Sequence, residues 1–297
     1  MPANIIDGRQ IAAEIQTELK QRTNALRQIG ITPKLVTILI GEDPASLAYL
    51  RGISRSGEES GILTQTARLP QAAAQKEVLE KIAELNQNQE VHGILLFLPL
   101  PVHINVLEAE GAISPEKDVD GTNPISIGRL LLGEETFLPS TPYGVQELLV
   151  RSGHSPGGKH VVIVGRSNIV GKPLASMLIQ KQKNANATVT VCHTATRNIA
   201  AITRQADILV AAMGKPKIIT ADMVREGTVV IDVGVNIIRD PATGKNKQVG
   251  DVDFEAVKDK AGAITPVPGG TGAVTSVMLI ANTVRAAEKL IRPKKRI

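Results

Sequence analysis

Tryptophan is absent from this sequence, and the only aromatic rings beyond histidine are three phenylalanines and two tyrosines. A core must therefore be built from aliphatic side chains. Hydrophobic residues make up 42% of the chain, so the material is there. The composition suits Val/Ile/Leu-rich parallel strands covered by Ala/Leu-rich helices. The same scarcity of rings argues against a nucleic-acid surface, which needs aromatics to stack bases. One cysteine, Cys192, excludes an intrachain disulfide and any multi-cysteine metal centre. The five histidines show neither metal-ligand spacing nor a Cys/His nucleophile pairing, so no metal is expected. No apolar run approaches the roughly 20 residues that span a bilayer, which leaves no membrane partner. The opening MPANIIDGRQIAAEI lacks the basic-then-apolar pattern of a secretory signal. The expectation is a soluble, cytoplasmic protein. Even the net charge of +5 is local, because Arg292, Lys294, Lys295 and Arg296 supply most of it. A terminal basic run of that kind reads as a solvated tail.

What is present is a strand–helix rhythm long enough, at 297 residues, for two domains. Helical spacing runs over residues 9–29, with Ile11, Ile15, Leu19, Leu26 and Ile29 on one face and Gly30 as its stop. A buried strand is predicted at 35–41, helices at 43–61 and 72–86, and a strand at 91–98 ended by Pro99 and Pro101. The stretch 111–144, rich in Gly, Pro, Ser and Thr, reads as holding the connection between lobes. A second rhythm follows, with strands at 159–165, 187–192, 206–212 and 227–234 and a helix from about Val170. It is the pattern of a doubly wound parallel sheet. A last helix at about 272–291 returns to the first lobe. The predicted fold is α/β: one lobe of residues 1–140 plus 272–297, and a Rossmann-like domain of residues 141–271.

The segment VVIVGRSNIVGKP (161–173) carries the clearest local chemistry. A buried strand ends at Gly165, and Gly171 and Pro173 open a helix. A helix N-terminus offers free N–H groups and partial positive charge to a pyrophosphate. The second glycine of G-x-G-x-x-G is replaced by Ser167, so a plain strand–turn–helix is the competing reading. Arg166 at the first turn suits a ribose 2′-phosphate, although a surface charge would look the same. The second strand ends in Cys192-His193-Thr194, without the acid expected for NAD. Both features favour NADP over NAD.

At this point a resemblance becomes plain. The stretches IIDGRQIA (5–12), GEDPASLAY (41–49), LPLP (98–101), PEKDVDG (115–121), STPYGVQELL (140–149), VVIVGRSNIVGKP (161–173), TVTVCHTAT (188–196), ADILVAAMGKP (206–216), VVIDVGVN (229–236), GDVDF (250–254) and ITPVPGG (264–270) occur in this order. Together they resemble the methylenetetrahydrofolate dehydrogenase/methenyltetrahydrofolate cyclohydrolase family along nearly the whole chain. The resemblance implies two α/β lobes with a folate cleft between them, tetrahydrofolate derivatives as ligands, and usually a homodimer. It implies NAD(P)-dependent oxidation of 5,10-methylenetetrahydrofolate to the methenyl form, and in many members hydrolysis onward to 10-formyltetrahydrofolate. It places cofactor contacts at Gly165, Arg166, Ser167, Thr194 and Val235. It places folate contacts at Ser46, Tyr49, Asp120, Gly269, Gly270 and Gly272. Asp120 takes the role of the pterin-binding carboxylate, and Tyr49 lies against the folate aromatic ring.

Three positions depart from the family pattern. The catalytic helix of the family carries Ser-x-x-Tyr-x-x-x-Lys; here Ser46 and Tyr49 are followed by Ile53. The family's Gln-Leu-Pro-Leu-Pro begins here with Phe97, and that glutamine partners the lysine. The family's Val-Gly-Pro-Met-Thr is Thr271-Gly272-Ala273-Val274-Thr275, which alters the folate-contacting loop. Arg51 and Arg55 project from other helix faces and are no substitute for the lysine. With both partners apolar, no buried amide is left unpaired, a loss that would cost about 1–3 kcal/mol. The pattern predicts an NADP-dependent dehydrogenase whose cyclohydrolase activity is weakened or lost. The alternatives are a fully bifunctional enzyme, a non-catalytic homologue that binds nucleotide or folate, and a dehydrogenase for another small substrate.

Overall fold

The computed structural model describes residues 3–239 and 244–291, so the basic run at 292–296 lies outside the described residues. In chain order the elements begin with strand β1 (Asn4–Ile5), helix α1 (Gly8–Gln28), β2 (Lys34–Ile40), α2 (Pro44–Ser60) and β3 (Leu63–Leu69). Next come α3 (Gln75–Gln87), β4 (Gly93–Leu96), α4 (Val106–Ala112), α5 (Pro124–Leu132) and α6 (Ser140–Arg151). Then follow β5 (His160–Val164), α7 (Gly171–Leu178), β6 (Thr188–Cys192), α8 (Ile199–Thr203), β7 (Ile208–Ala211) and β8 (Val229–Asp232). The chain finishes with β9 (Asn236–Arg239), β10 (Asn246–Val249), α9 (Phe254–Val257), β11 (Ala263–Ile264) and α10 (Thr271–Lys289). Among the described residues, no helix is long and apolar enough to cross a membrane.

The chain divides into two compact units, one formed by residues through Ala12 with Thr141–Thr275, the other by Ala13–Ser140 with the chain from Ser276 onward. The first is built on a six-stranded sheet ordered β1-β11-β8-β7-β5-β6. Every pairing in it is parallel. Val161–Val164 of β5 and Leu209–Ala211 of β7 are fully buried, as expected of central strands covered on both faces. A β9–β10 hairpin stands apart as a two-stranded antiparallel ribbon.

The other unit carries a three-stranded parallel sheet ordered β3-β2-β4. Val36, Ile38 and Ile40 of β2 pack with Val78, Ile82 and Leu85 of α3 and with Ile94 and Leu96 of β4. Helix α2 starts on a side-chain cap, where Asp43 Oδ2 accepts from the Ser46 amide at 2.8 Å and Pro44 fills the first turn. It stops at Gly61, which is left-handed at φ 78°.

The structure differs from the expectations at four points. Residues 3–12 group with the six-stranded unit, not the first lobe, because β1 pairs with β11. The boundary near 272 falls instead after Thr275, inside α10. The stretch 111–144 does hold the boundary between the units, after Ser140, together with the end of α4 and all of α5. Strand β3 breaks the predicted strand–helix–helix–strand order; as a half-exposed edge with the sequence LTQTARL, it lacks the apolar run of a central strand. Ile29, placed by its spacing on the buried face, lies beyond the end of α1 and is exposed.

Ile38 is fully buried in the middle strand of the smaller sheet. Ile38→Ala is expected to cost about 2–5 kcal/mol in chemical denaturation. A loss below about 1 kcal/mol would mean that this core collapses around the cavity.

Candidate active site

In the three-stranded unit, the segment that bears Asp120 is fixed from several sides. The Ile94 amide donates to the Lys117 carbonyl at 2.8 Å, so residues 117–119 lie along β4. Gly93 has no side chain because a Cβ there would meet the Val119 methyls at 2.8 Å. The buried Asp118 carboxylate accepts from the amides of Thr122 (3.2 Å) and Asn123 (3.0 Å). Asn123 in turn caps α5 through the Ile125 amide, 2.7 Å away. Gly121 adopts φ +67°, and a Cβ there would stand 2.7–2.9 Å from the backbone of 137–139. Asn282 of α10 ties the two segments together, donating to the carbonyls of Val119 (2.8 Å) and Leu138 (2.9 Å).

Asp120 sits in this frame under electrostatic stress. Burial pushes its carboxyl up to about 7; Ser140 opposes the rise, and the negative charges of Asp118 and Glu110 add to it. The Tyr49 phenol is pushed well above its ordinary value, first by burial and then by the charge of Asp120. Tyr49 and Asp120 are thus brought together. Phe97, which follows β4, meets the Tyr49 ring edge-on, with centroids 5.9 Å apart and planes at 83°. Ile53, one turn beyond Tyr49 on α2, is fully buried, while Arg51 and Arg55 are exposed. The Ser46 hydroxyl donates to Asp43 Oδ2 at 2.9 Å and to the Leu98 carbonyl at 3.4 Å. Ser46 therefore shapes the start of α2 as much as it lines any pocket.

The six-stranded unit gathers a second group of residues. Gly165, Arg166 and Ser167 follow β5, Thr194 follows β6 and Val235 follows β8. Because the strands are parallel, their C-terminal ends share one edge of the sheet, where ligands of such folds bind. At Gly165 (φ +142°) a Cβ would lie 2.1 Å from the Ala212 carbonyl oxygen. At Gly171 a Cβ would lie 2.1 Å from the Gly165 carbonyl oxygen. Both glycines are thus demanded by close backbone approach. Ser167 Oγ accepts from the Val170 and Gly171 amides at 3.1 and 3.4 Å, which shapes the entry into α7. The Arg166 side chain is exposed.

Two pockets open along this edge. One of about 230 Å³ is lined by His193, Thr194, Met213 and Lys215, among others. The other, about 300 Å³, brings Val235 together with Gly269, Gly270 and Gly272, beside Arg9 and Asp232. The three glycines therefore belong to the six-stranded unit, whereas Ser46, Tyr49 and Asp120 belong to the other. Among the described residues, no group of three or more His, Cys, Asp or Glu is placed to hold a metal ion.

Sequence patterning misses a pair of carboxylates beneath these pockets. Asp251 Oδ2 accepts from the amides of Met213 (2.5 Å) and Gly214 (2.8 Å), and its Oδ1 accepts from the Lys215 amide and Asn236 Nδ2, both at 2.9 Å. Asp232 accepts from the amides of Gly234 (2.9 Å), Asp251 (3.0 Å) and Val252 (2.9 Å). Burial raises Asp232 to about 6 despite these donors. VVIDVGVN and GDVDF hold both residues, but nothing in either string reveals that one carboxylate receives the backbone of the other.

Fold and site together define a dinucleotide-binding α/β protein with a second unit that carries a half-buried carboxylate beside a tyrosine. The tetrahydrofolate dehydrogenase/cyclohydrolase catalytic-domain model matches residues 6–120, and the NAD(P)-binding-domain model of the same name matches residues 139–291. The chain is 54% identical over 292 residues to the bifunctional protein FolD of Dehalococcoides mccartyi strain CBDB1, covering 98% of this chain and 99% of that protein. Among solved structures it is similar to the bifunctional FolD enzyme of Campylobacter jejuni, with 45% identity, a TM-score of 0.91 and 97% and 99% of the two chains covered. It is also similar to the Trypanosoma brucei methylenetetrahydrofolate dehydrogenase-cyclohydrolase complexed with NADP and an inhibitor, with 38% identity, a TM-score of 0.92 and coverage of 99% and 100%. The chain belongs to the tetrahydrofolate dehydrogenase/cyclohydrolase family.

The raised Asp120 carboxyl has a consequence for stability. Its folded-state value lies near 7, above the ordinary carboxylate range, so folding favours the protonated form. That contribution is complete below the unfolded value and is lost as pH rises through about 7. Asp120→Asn removes the loss. Its melting temperature relative to the parent protein is expected to be higher at pH 8 than at pH 5, and an offset independent of pH would contradict this assignment.

Proposed function

We propose that the protein oxidises 5,10-methylenetetrahydrofolate to the methenyl form with NADP, and that its cyclohydrolase activity is weak or lost. The observation that carries this reading is the fully buried Ile53 one turn from Tyr49, with Phe97 against the Tyr49 ring, where the family pattern has lysine and glutamine. When bound, NADP supplies the hydride acceptor. The chain's own part is to bind and orient. The turn from Gly165 to Gly171 offers backbone N–H groups to a pyrophosphate. Arg166 and the Thr194 hydroxyl receive the 2′-phosphate, and Ser167 and Val235 are further cofactor contacts. Asp120 accepts from the donor-rich edge of the pterin, and Tyr49 lies against the folate aromatic ring. Ser46, Gly269, Gly270 and Gly272 shape the remaining folate contacts. We read the active form as a homodimer.

The two family reactions ask different things of this site. Hydride transfer needs orientation and a dry pocket. Hydrolysis of the methenyl ring needs an activated water and a proton carrier, help worth about 10²–10⁴-fold. Ile53 and Phe97 carry no proton. The bifunctional names of the relatives at about half identity favour the second reading, in which another group takes over and both reactions persist.

Separate assays of the two steps decide between these readings; robust and equal rates would refute the split. In the Ile53→Lys, Phe97→Gln double variant, methenyl hydrolysis is expected to rise by about tenfold or more, and no gain would count against an otherwise intact folate pocket. Arg166→Ser is expected to raise the KM for NADP by about tenfold while leaving that for NAD within about twofold. Equal changes for both cofactors would contradict the role given to Arg166.

A further inference from the structure

The segment that carries Gly269 and Gly270 is a loop with both ends fastened to one residue, Asp232 at the end of β8. Just before the loop, Thr265 Oγ1 accepts from the Asp232 amide at 2.7 Å. Just after it, the Thr271 hydroxyl donates to the Asp232 carbonyl at 2.7 Å. Thr265, Asp232 and Thr271 are all buried, so water does not compete for these bonds. The loop itself is closely enclosed. A Cβ at Gly270 would lie 2.6 Å from the Pro266 carbonyl oxygen, and one at Gly8 would lie 2.2 Å from the Gly270 carbonyl oxygen. The same pocket of about 300 Å³ is lined by Val235, whose turn is held separately: the Gly234 amide donates to Asp232 Oδ1 at 2.9 Å. The main chain of Asp232 thus takes the glycine loop, and its side chain takes the turn.

At positions 271 and 273, where the family pattern has valine and proline, this chain has Thr271 and Ala273. Each makes a bond that its counterpart could not. Valine has no hydroxyl to offer the Asp232 carbonyl. Proline has no N–H for the Gly270 carbonyl, to which the Ala273 amide donates at 3.1 Å.

We infer that Thr271 is a positioning residue for the glycine loop, its hydroxyl pinning Gly269, Gly270 and Gly272 to the end of β8 so that they meet the folate in a fixed place. This rests on the reading of those glycines as folate contacts. The Thr271 hydroxyl is engaged by Asp232, so it acts through the loop.

The test is Thr271→Val, which keeps the shape of the side chain and removes the donor. The KM for 5,10-methylenetetrahydrofolate at saturating NADP should rise by about fivefold, the scale of one hydrogen bond. The KM for NADP should stay within about twofold, because the Asp232 side chain still holds the turn before Val235. Thr271→Ser keeps the hydroxyl and should restore the parent values. If the valine variant does not fold, Thr271→Cys carries the test, with a smaller rise in the same direction. A purely structural threonine would lower the melting temperature and leave the folate KM where it was, or raise both KM values alike; either result overturns the proposal. Gly272→Ala separates the two failures. Its added Cβ meets nothing of the protein within 4 Å, so it reports on the ligand. If it leaves the folate KM unchanged, the reading of this loop as a folate contact falls. If it raises that KM while Thr271→Val does not, only the role of Thr271 falls.

Discussion

A carboxylate enclosed by protein stays charged only if something offsets the loss of water. At Asp120 the neighbouring charges, Asp118 and Glu110, are both negative and add to the rise that burial causes, which Ser140 opposes. Everything near it is arranged around that deficit. Asp118 is held by two backbone amides and cannot swing away. Gly121 and Asn282 lock the junction with residues 137–139. The site thus trades stability at neutral and alkaline pH for a hydrogen-bond acceptor of high basicity.

The six-stranded unit solves the same problem in the opposite way. Asp232 and Asp251 are also buried, but each is surrounded by backbone N–H donors. They serve as struts. Asp251 holds the loop that follows β7, Asp232 holds the turn that follows β8, and the Asp251 amide donates to Asp232. The pocket rims at Met213–Lys215 and at Val235 inherit their shape from these two side chains. Two family motifs supply structural carboxylates and a third a strained one, and the number of N–H donors distinguishes them.

Much of this was legible in the sequence where the physics is local. Continuous Val/Ile/Leu runs mark the buried parallel strands, and Gly61 and Pro44 mark the ends of α2. The tight turn after β5 follows from Gly165 and Gly171. Long-range pairing left no such mark. Two residues, Asn4 and Ile5, join a sheet more than 250 residues away in the chain, and no periodicity in so short a strand announces it. Edge strand β3 is half polar and hides among loop-like residues. In the site, Tyr49, Ile53, Phe97 and Asp120 stood out only through the family pattern. Asn282 looked like an interior helix residue, since its two carbonyl partners are 163 and 144 positions away.

The pairing of Ile53 with Phe97 bears on whether the site has decayed or been rebuilt. Loss of a lysine by itself would strand its amide partner in a dry pocket, at about 1–3 kcal/mol. Here the partner position is a phenylalanine whose ring sits edge-on to Tyr49, an arrangement worth about 0.5–1.5 kcal/mol beyond its buried area. A drifting pocket accumulates cavities and unpaired polar groups. This one has a fully buried isoleucine, an ordered aromatic pair and an Asp118 satisfied by backbone donors. Selection for a bound and oriented ligand accounts for that packing, whereas relaxed selection gives no reason for both positions to be apolar together.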